Sequence, residues 1–135
     1  MIAAAAGLLD TSVFIAHETG RPLAELPERV AVSVVTIGEL HLGVLAAPDD
    51  QTRARRADTL ALARMADPIP ITEATMVIWA RLVLDCRTAG LTRAVKLTDS
   101  LIAATAVDRG LPVITQDVDF DRIAKVHPEL RVIKV

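Results

Sequence analysis

Apolar runs alternating with helical stretches predict an α/β fold for this chain: a three-layer α/β/α sandwich around a central, mostly parallel sheet. Three of these runs, at 3–9, 30–35 and 112–115, are nearly continuous, as expected of strands covered on both faces. Carboxylates stand where the chain leaves them. Asp10 closes the first, Glu39 follows the second and Asp117 the third, while Asp99 opens the helix leading into that third strand. In a parallel sheet every strand's carboxyl end points to the same edge, so acids far apart in sequence would meet in one pocket.

The elements follow in order. The first strand, expected at 4–9, is rich in Ala and Gly, and a short helix follows at 11–18. Gly20, Pro22 and Pro27 punctuate the connection to a strand at 30–35. Ser33 or Thr36 could cap the next helix, 37–45, which stops at Pro48. Asp49 or Asp50 starts an Ala/Arg-rich helix to about 66, and Pro68 and Pro70 allow only an edge strand between them. Thr72 opens a long helix ending at Gly90. A loop at 91–97 leads to a helix capped by Thr98 or Asp99 and running to Arg109. A strand at 113–115, a short helix at 120–126 and a final strand at 131–134 complete the chain.

With 135 residues the chain is expected to form one domain over its whole length, 1–135, with a core of Ala, Val, Leu and Ile, because it has one Trp, two Phe and no Tyr. A net charge of −2 excludes a protein that coats nucleic acid by bulk electrostatics, though not a local basic surface. The single Cys86 excludes a disulfide framework and fits a cytoplasmic protein. The apolar start lacks a positive n-region, so it reads as a buried strand, not a signal peptide, and no stretch is long enough to span a membrane.

Each acid has a plain alternative. Asp10, Asp99 and Asp117 could be helix N-caps. Glu39 resists that reading, because it lies inside the first turns of an apolar helix. Together the four are harder to dismiss: two unit charges about 4 Å apart repel by roughly 4 kcal/mol at an effective dielectric of 20. A cluster would suppress its own ionisation unless a cation offset it. Oxygen-only ligands suit Mg²⁺, with Mn²⁺ as a substitute, and phosphodiester hydrolysis is the chemistry such an ion favours.

The resemblance is then specific. Leu9-Asp10-Thr11-Ser12-Val13-Phe14, the stretch Ser33 to Val44 containing Thr36-Ile37-Gly38-Glu39-Leu40, Thr98-Asp99-Ser100-Leu101-Ile102-Ala103-Ala104, and Val113-Ile114-Thr115-Gln116-Asp117-Val118-Asp119 resemble the PIN-domain pattern, in that family's order. Within the family the chain looks like the VapC-type toxins of prokaryotic toxin–antitoxin pairs. The resemblance implies a Mg²⁺-dependent endoribonuclease acting on RNA, a cognate antitoxin whose tail fills the acidic groove, and Asp10 and Asp99 as principal metal ligands. Glu39 and Asp117 would complete the catalytic pocket, with Asp119 as the other candidate for the fourth acid. Thr11, Ser12 and Thr115 would hold a carboxylate, a water or a phosphate; as bland alternatives they are caps and turn residues. The first strand departs from the pattern, being poor in β-branched residues.

Arg93 and Lys96 precede Asp99 in a loop where a cation could neutralise a phosphate. Arg53, Arg55, Arg56 and Arg64 could meet RNA phosphates, but with Asp58 interleaved an ordinary solvated face is the simpler reading. His41 falls on another helix face from Glu39, and His17 and His127 lack zinc-ligand spacing. Asp121 reads as a solvated helix charge. The helix around Trp79 is apolar nearly all round, which suggests core packing plus a homodimer face.

Two rivals remain. A haloacid-dehalogenase-like phosphatase would use Asp10 as nucleophile, but it wants an Asp two residues on, where Ser12 stands. A non-catalytic, partner-binding module of the same fold would not respond to metal.

Overall fold

A computed structural model describes residues 5–135. Four strands, β1 (Ala6–Leu9), β2 (Arg29–Val32), β3 (Val113–Thr115) and β4 (Val132–Lys134), form a wholly parallel sheet in the order β2-β1-β3-β4. Six helices accompany it among the described residues: α1 (Thr11–Thr19), α2 (Val34–Leu45), α3 (Asp50–Arg64), α4 (Glu73–Thr88), α5 (Leu97–Arg109) and α6 (Asp119–Val126). The expected start of the first strand at Ala4 lies outside the described residues.

The strand period of two divides the core. Leu8 and Val113 point to one face, where they pack with Leu82 and Cys86 of α4, Ile102 and Ala106 of α5, and Phe120 and Ile123 of α6. Leu9 and Ile114 point to the other, against Val13 and Phe14 of α1, Leu40 of α2 and Leu60 and Ala63 of α3. This double coverage makes the central strands read as unbroken apolar runs, each fully buried Leu or Val contributing about 1.5–3 kcal/mol.

Gly7 explains why β1 departs from a β-branched pattern. A Cβ there would lie 2.5 Å from Ile114 Cγ1 and 3.1 Å from Pro27 Cγ, so the neighbouring strand's side chain occupies the space. We expect Gly7→Ala to destabilise the fold by about 1–3 kcal/mol in urea titrations. The loss should shrink in an Ile114→Ala background; an equal loss in both backgrounds would show that Ile114 is not the obstacle.

Two boundaries differ from the sequence expectation. The second strand ends at Val32, and Val34 and Val35 are already helical. Ser33 caps α2 by accepting a hydrogen bond from the Val35 N–H at 3.0 Å, so local capping overrides the strand preference of two valines. Ser33 also forms an isolated bridge with Ile69, between Pro68 and Pro70 at the outer edge of β2, as the two prolines allow. The second difference is in α5, which starts at Leu97 with Lys96 at its cap position. Asp99 is therefore the third residue of the helix, not its cap.

Candidate active site at the carboxyl edge of the sheet

From β1 the chain moves outward to β2, then returns to place β3 on the other side of β1. The strand order reverses between β1 and β3, and the crevice beyond their carboxyl ends is where a doubly wound sheet binds ligand. Asp10 follows β1 directly, and its N–H bonds the Ile114 carbonyl at 3.0 Å. Asp117 stands two residues beyond β3.

Asp10 occupies the N-cap position of α1 but makes no capping bond with its side chain. Its carboxylate is held elsewhere: Ser12 Oγ donates to Oδ1 at 2.6 Å and Thr115 Oγ1 donates to Oδ2 at 3.0 Å. The two hydroxyls also lie 3.3 Å apart, yet each has one proton and both protons go to Asp10. Each hydroxyl accepts a backbone N–H in turn, Ser12 from Gln116 and Thr115 from Asp117, both at 3.0 Å. Ser12 and Thr115 thus aim both oxygens of one buried carboxylate, which is more than the cap-or-turn reading predicts.

Burial pushes Asp10 up to about 6, the two hydroxyl bonds pull it down, and the charges of Asp117 and Asp99 add to the rise. Asp99, half-buried in the first turn of α5, is also raised to about 6. Burial is again the largest cause, then the Glu39 charge; Lys96 opposes it, and Asp119 and Asp117 reinforce it. The acids therefore do share one field, but desolvation outweighs the mutual repulsion expected from the sequence.

Glu39 is braced separately, by Thr11 Oγ1 donating to its Oε1 at 2.6 Å. Thr11 also lies 3.3 Å from the Oγ1 of Thr36, a wholly buried hydroxyl. By sequence Thr36 is a candidate cap within the motif that holds Glu39. It stands three residues before Glu39, on the same helix face, and that spacing was the available signal. Gln116 stands in the motif after β3 without a role that the sequence assigns. Its side chain bonds the carbonyls of Pro22 and Val135 at 2.9 and 3.2 Å, which ties the segment beyond β3 to its neighbours.

Asp117 is exposed and its charge reaches both Asp10 and Asp99. Asp119 begins α6, reaches Asp99 and pairs with Arg122 at 3.9 Å. Lys96 stands beside Asp99, whereas Arg93 is exposed and makes no ion pair among the described residues. Asp121 is a partly exposed helix charge, as expected, and pairs with Lys134 of β4 at 2.6 Å. His41 contacts Arg64 at 3.3 Å and His127 is buried against Asp85 at 2.8 Å, so neither belongs to the acidic crevice.

Among the described residues no three Asp, Glu, His or Cys side chains form a finished cation cage. Mg²⁺ does not require one, since it keeps several waters and takes one or two carboxylates directly. An apolar cavity of about 410 Å³ lies elsewhere, between α1 and α3, lined by Phe14, Leu23, Leu26 and Met65. A smaller one of about 320 Å³ adjoins the acids through Thr11 and Glu39.

Parallel strand order, a switch point flanked by acids and hydroxyls braced on them define an α/β fold with an acidic crevice, and a family profile described as PIN domain matches residues 7–126. The chain belongs to the PIN-domain family. Over 100 residues, 74% of this chain and 89% of the relative, it is 71% identical to Ribonuclease VapC8 of Mycobacterium tuberculosis. Ribonuclease VapC5 of the same species is 49% identical over 118 residues, 86% of each chain. A chain in the crystal structure of VapBC-5 from M. tuberculosis, a member of the VapBC family of toxin–antitoxin systems, superposes with a TM-score of 0.87 at 42% identity, covering 97% of this chain and 99% of that one. Membership of this family removes the haloacid-dehalogenase-like reading.

Proposed function

We propose that this chain is a Mg²⁺-dependent endoribonuclease and the toxin of a toxin–antitoxin pair. The observation that carries the reading is Asp10, buried at the switch point with both oxygens aimed by hydroxyls and the charges of Asp99 and Asp117 beside it. Relatives named as ribonucleases support it.

Asp10, Asp99, Glu39 and Asp117 would hold the ion, directly or through water, with Asp119 at the rim. When bound, Mg²⁺ or Mn²⁺ would supply Lewis-acid polarisation of a water and of the phosphate. The chain's own contribution is placement. Ser12 and Thr115 fix the Asp10 oxygens, and Thr11 fixes Glu39 with Thr36 behind it. Lys96, beside Asp99, would meet the phosphate's charge, with Arg93 further out on the turn. The test is incubation with total cellular RNA, with Mg²⁺ or with chelator, followed by mapping of the new ends. Discrete ends that need metal are expected; cleavage that persists in chelator, or none with metal, overturns the proposal.

The proposed partner is a cognate antitoxin whose tail enters the acidic groove, with an Arg among the carboxylates. Exposed Leu42, Leu45, Leu62 and Met65 on and beside α2 and α3 support a protein partner, since they leave apolar surface uncovered. We further propose a homodimer through α4, where Met76, Val77 and Leu84 are exposed. Sedimentation equilibrium should find a dimer that Leu84→Glu weakens at least tenfold; a wild-type monomer at all concentrations would reject it. The cytoplasm is the proposed location, in keeping with a single buried thiol. No helix among the described residues is long and apolar enough to cross a membrane.

A further inference from the structure

Two of the four arginines assigned to an ordinary solvated face are not ordinary. Arg53 pairs with Asp50 at the start of α3 and Arg64 contacts His41, but Arg55 and Arg56 line the cavity of about 320 Å³ enclosed by α1, α2 and α3. That cavity opens onto the acidic crevice, because Thr11 and Glu39 belong to both. Its walls divide by chemistry: Ile15 and Leu40 are apolar, while the two guanidiniums, Glu18 and, at the crevice end, Glu39 are charged. The volume lies at the lower end of the range for small-molecule pockets, which suits one nucleotide.

The arginines are placed but not used up. Arg56 Nη1 donates to the Gly43 carbonyl at 2.7 Å, which fixes the guanidinium and leaves its other donors free. Arg55 meets Glu18 only through Nε, at 3.6 Å, with its side chain half exposed. A guanidinium already oriented loses less freedom when it takes a phosphate in a fork.

We propose that this cavity is a nucleotide subsite beside the scissile bond, in which Arg55 and Arg56 receive a neighbouring phosphodiester of single-stranded RNA and Ile15 and Leu40 take the base. The proposal rests on the RNA-cleaving function above. Glu18 has a defined part in it: by pairing with Arg55 it holds the guanidinium back, so its charge opposes RNA binding.

The experiment measures kcat and KM of the full chain on a single-stranded RNA containing a mapped cleavage site, with Mg²⁺, across a series of salt concentrations. Arg55→Ala/Arg56→Ala should raise KM about tenfold, and the slope of log(kcat/KM) against log[salt] should flatten by about 0.7 for each phosphate left without its cation. Arg55→Ala alone, at an exposed position, should give about half of that flattening and guards against misfolding of the double variant. Glu18→Gln should act in the opposite direction, lowering KM about threefold, which no loss of structure would produce. Wild-type cleavage with an unchanged salt slope in the double variant overturns the subsite and leaves the nuclease reading standing. No cleavage by the wild type overturns both. A double variant that cleaves normally but no longer binds a cognate antitoxin shows that the cavity seats protein, which also overturns the subsite.

Discussion

Asp99→Asn should reduce Mg²⁺-dependent RNA cleavage by about a thousandfold or more, because a metal ligand stabilises the transition state by several kcal/mol and each 1.36 kcal/mol is tenfold in rate. The substitution keeps the shape of the side chain and removes the charge. Asp99 lies in the third position of α5, so no cap is lost, and its carboxylate is raised to about 6 chiefly by burial and then by Glu39. Removing that charge should leave the metal-free melting temperature unchanged or higher. Loss of cleavage with a retained melting transition is therefore the expected pair of results. Undiminished cleavage would take Asp99 out of the mechanism, and a collapsed transition would assign it a structural role instead.

The second large effect is on stability. Asp10 and Asp99 bind their protons more tightly in the folded chain than at the ordinary value of 3.8, since both are raised to about 6. Between these values the folded state carries more protons than the unfolded one, so stability in chelator should fall as pH rises through that window. For Asp10 the difference is on the order of 3 kcal/mol. Asp49 works in the other direction, being lowered by its capping bond to Thr52, but it is fully exposed. Comparison with Asp10→Asn isolates the effect: the variant's stability should fall less over the same range. Metal should then restore what ionisation removes. At a concentration 100 times its Kd, Mg²⁺ should add about 2.7 kcal/mol, roughly a 10 °C rise in melting temperature at pH 7. The rise should be lost in Asp99→Asn. No rise with millimolar Mg²⁺ or Mn²⁺ would favour the non-catalytic binding module.

The layered fold was legible because each central strand is buried on both faces, which forces runs such as Leu8-Leu9 and Val113-Ile114 to be apolar at every position. The edge character of 68–70 was legible from its two prolines. Helix starts were less so. Ser33 caps α2 where Thr36 offers the same hydroxyl, while α5 starts one residue beyond Lys96, which makes no capping bond, so local preference points to Thr98 instead. β1 carries Gly7 in place of a β-branched residue where Ile114 fills the space above it, a contact that no local pattern reveals.

What the sequence determined by itself is the alternation of element types and the positions of the acids along it, because burial and helix periodicity are written locally. Tertiary structure alone decided that Asp10 is aimed by Ser12 and Thr115, that Thr36 stands behind Thr11, and that Arg55 and Arg56 face a cavity. Those pairings join residues up to 105 positions apart, and only the crossing of β3 to the far side of β1 brings them within hydrogen-bonding distance.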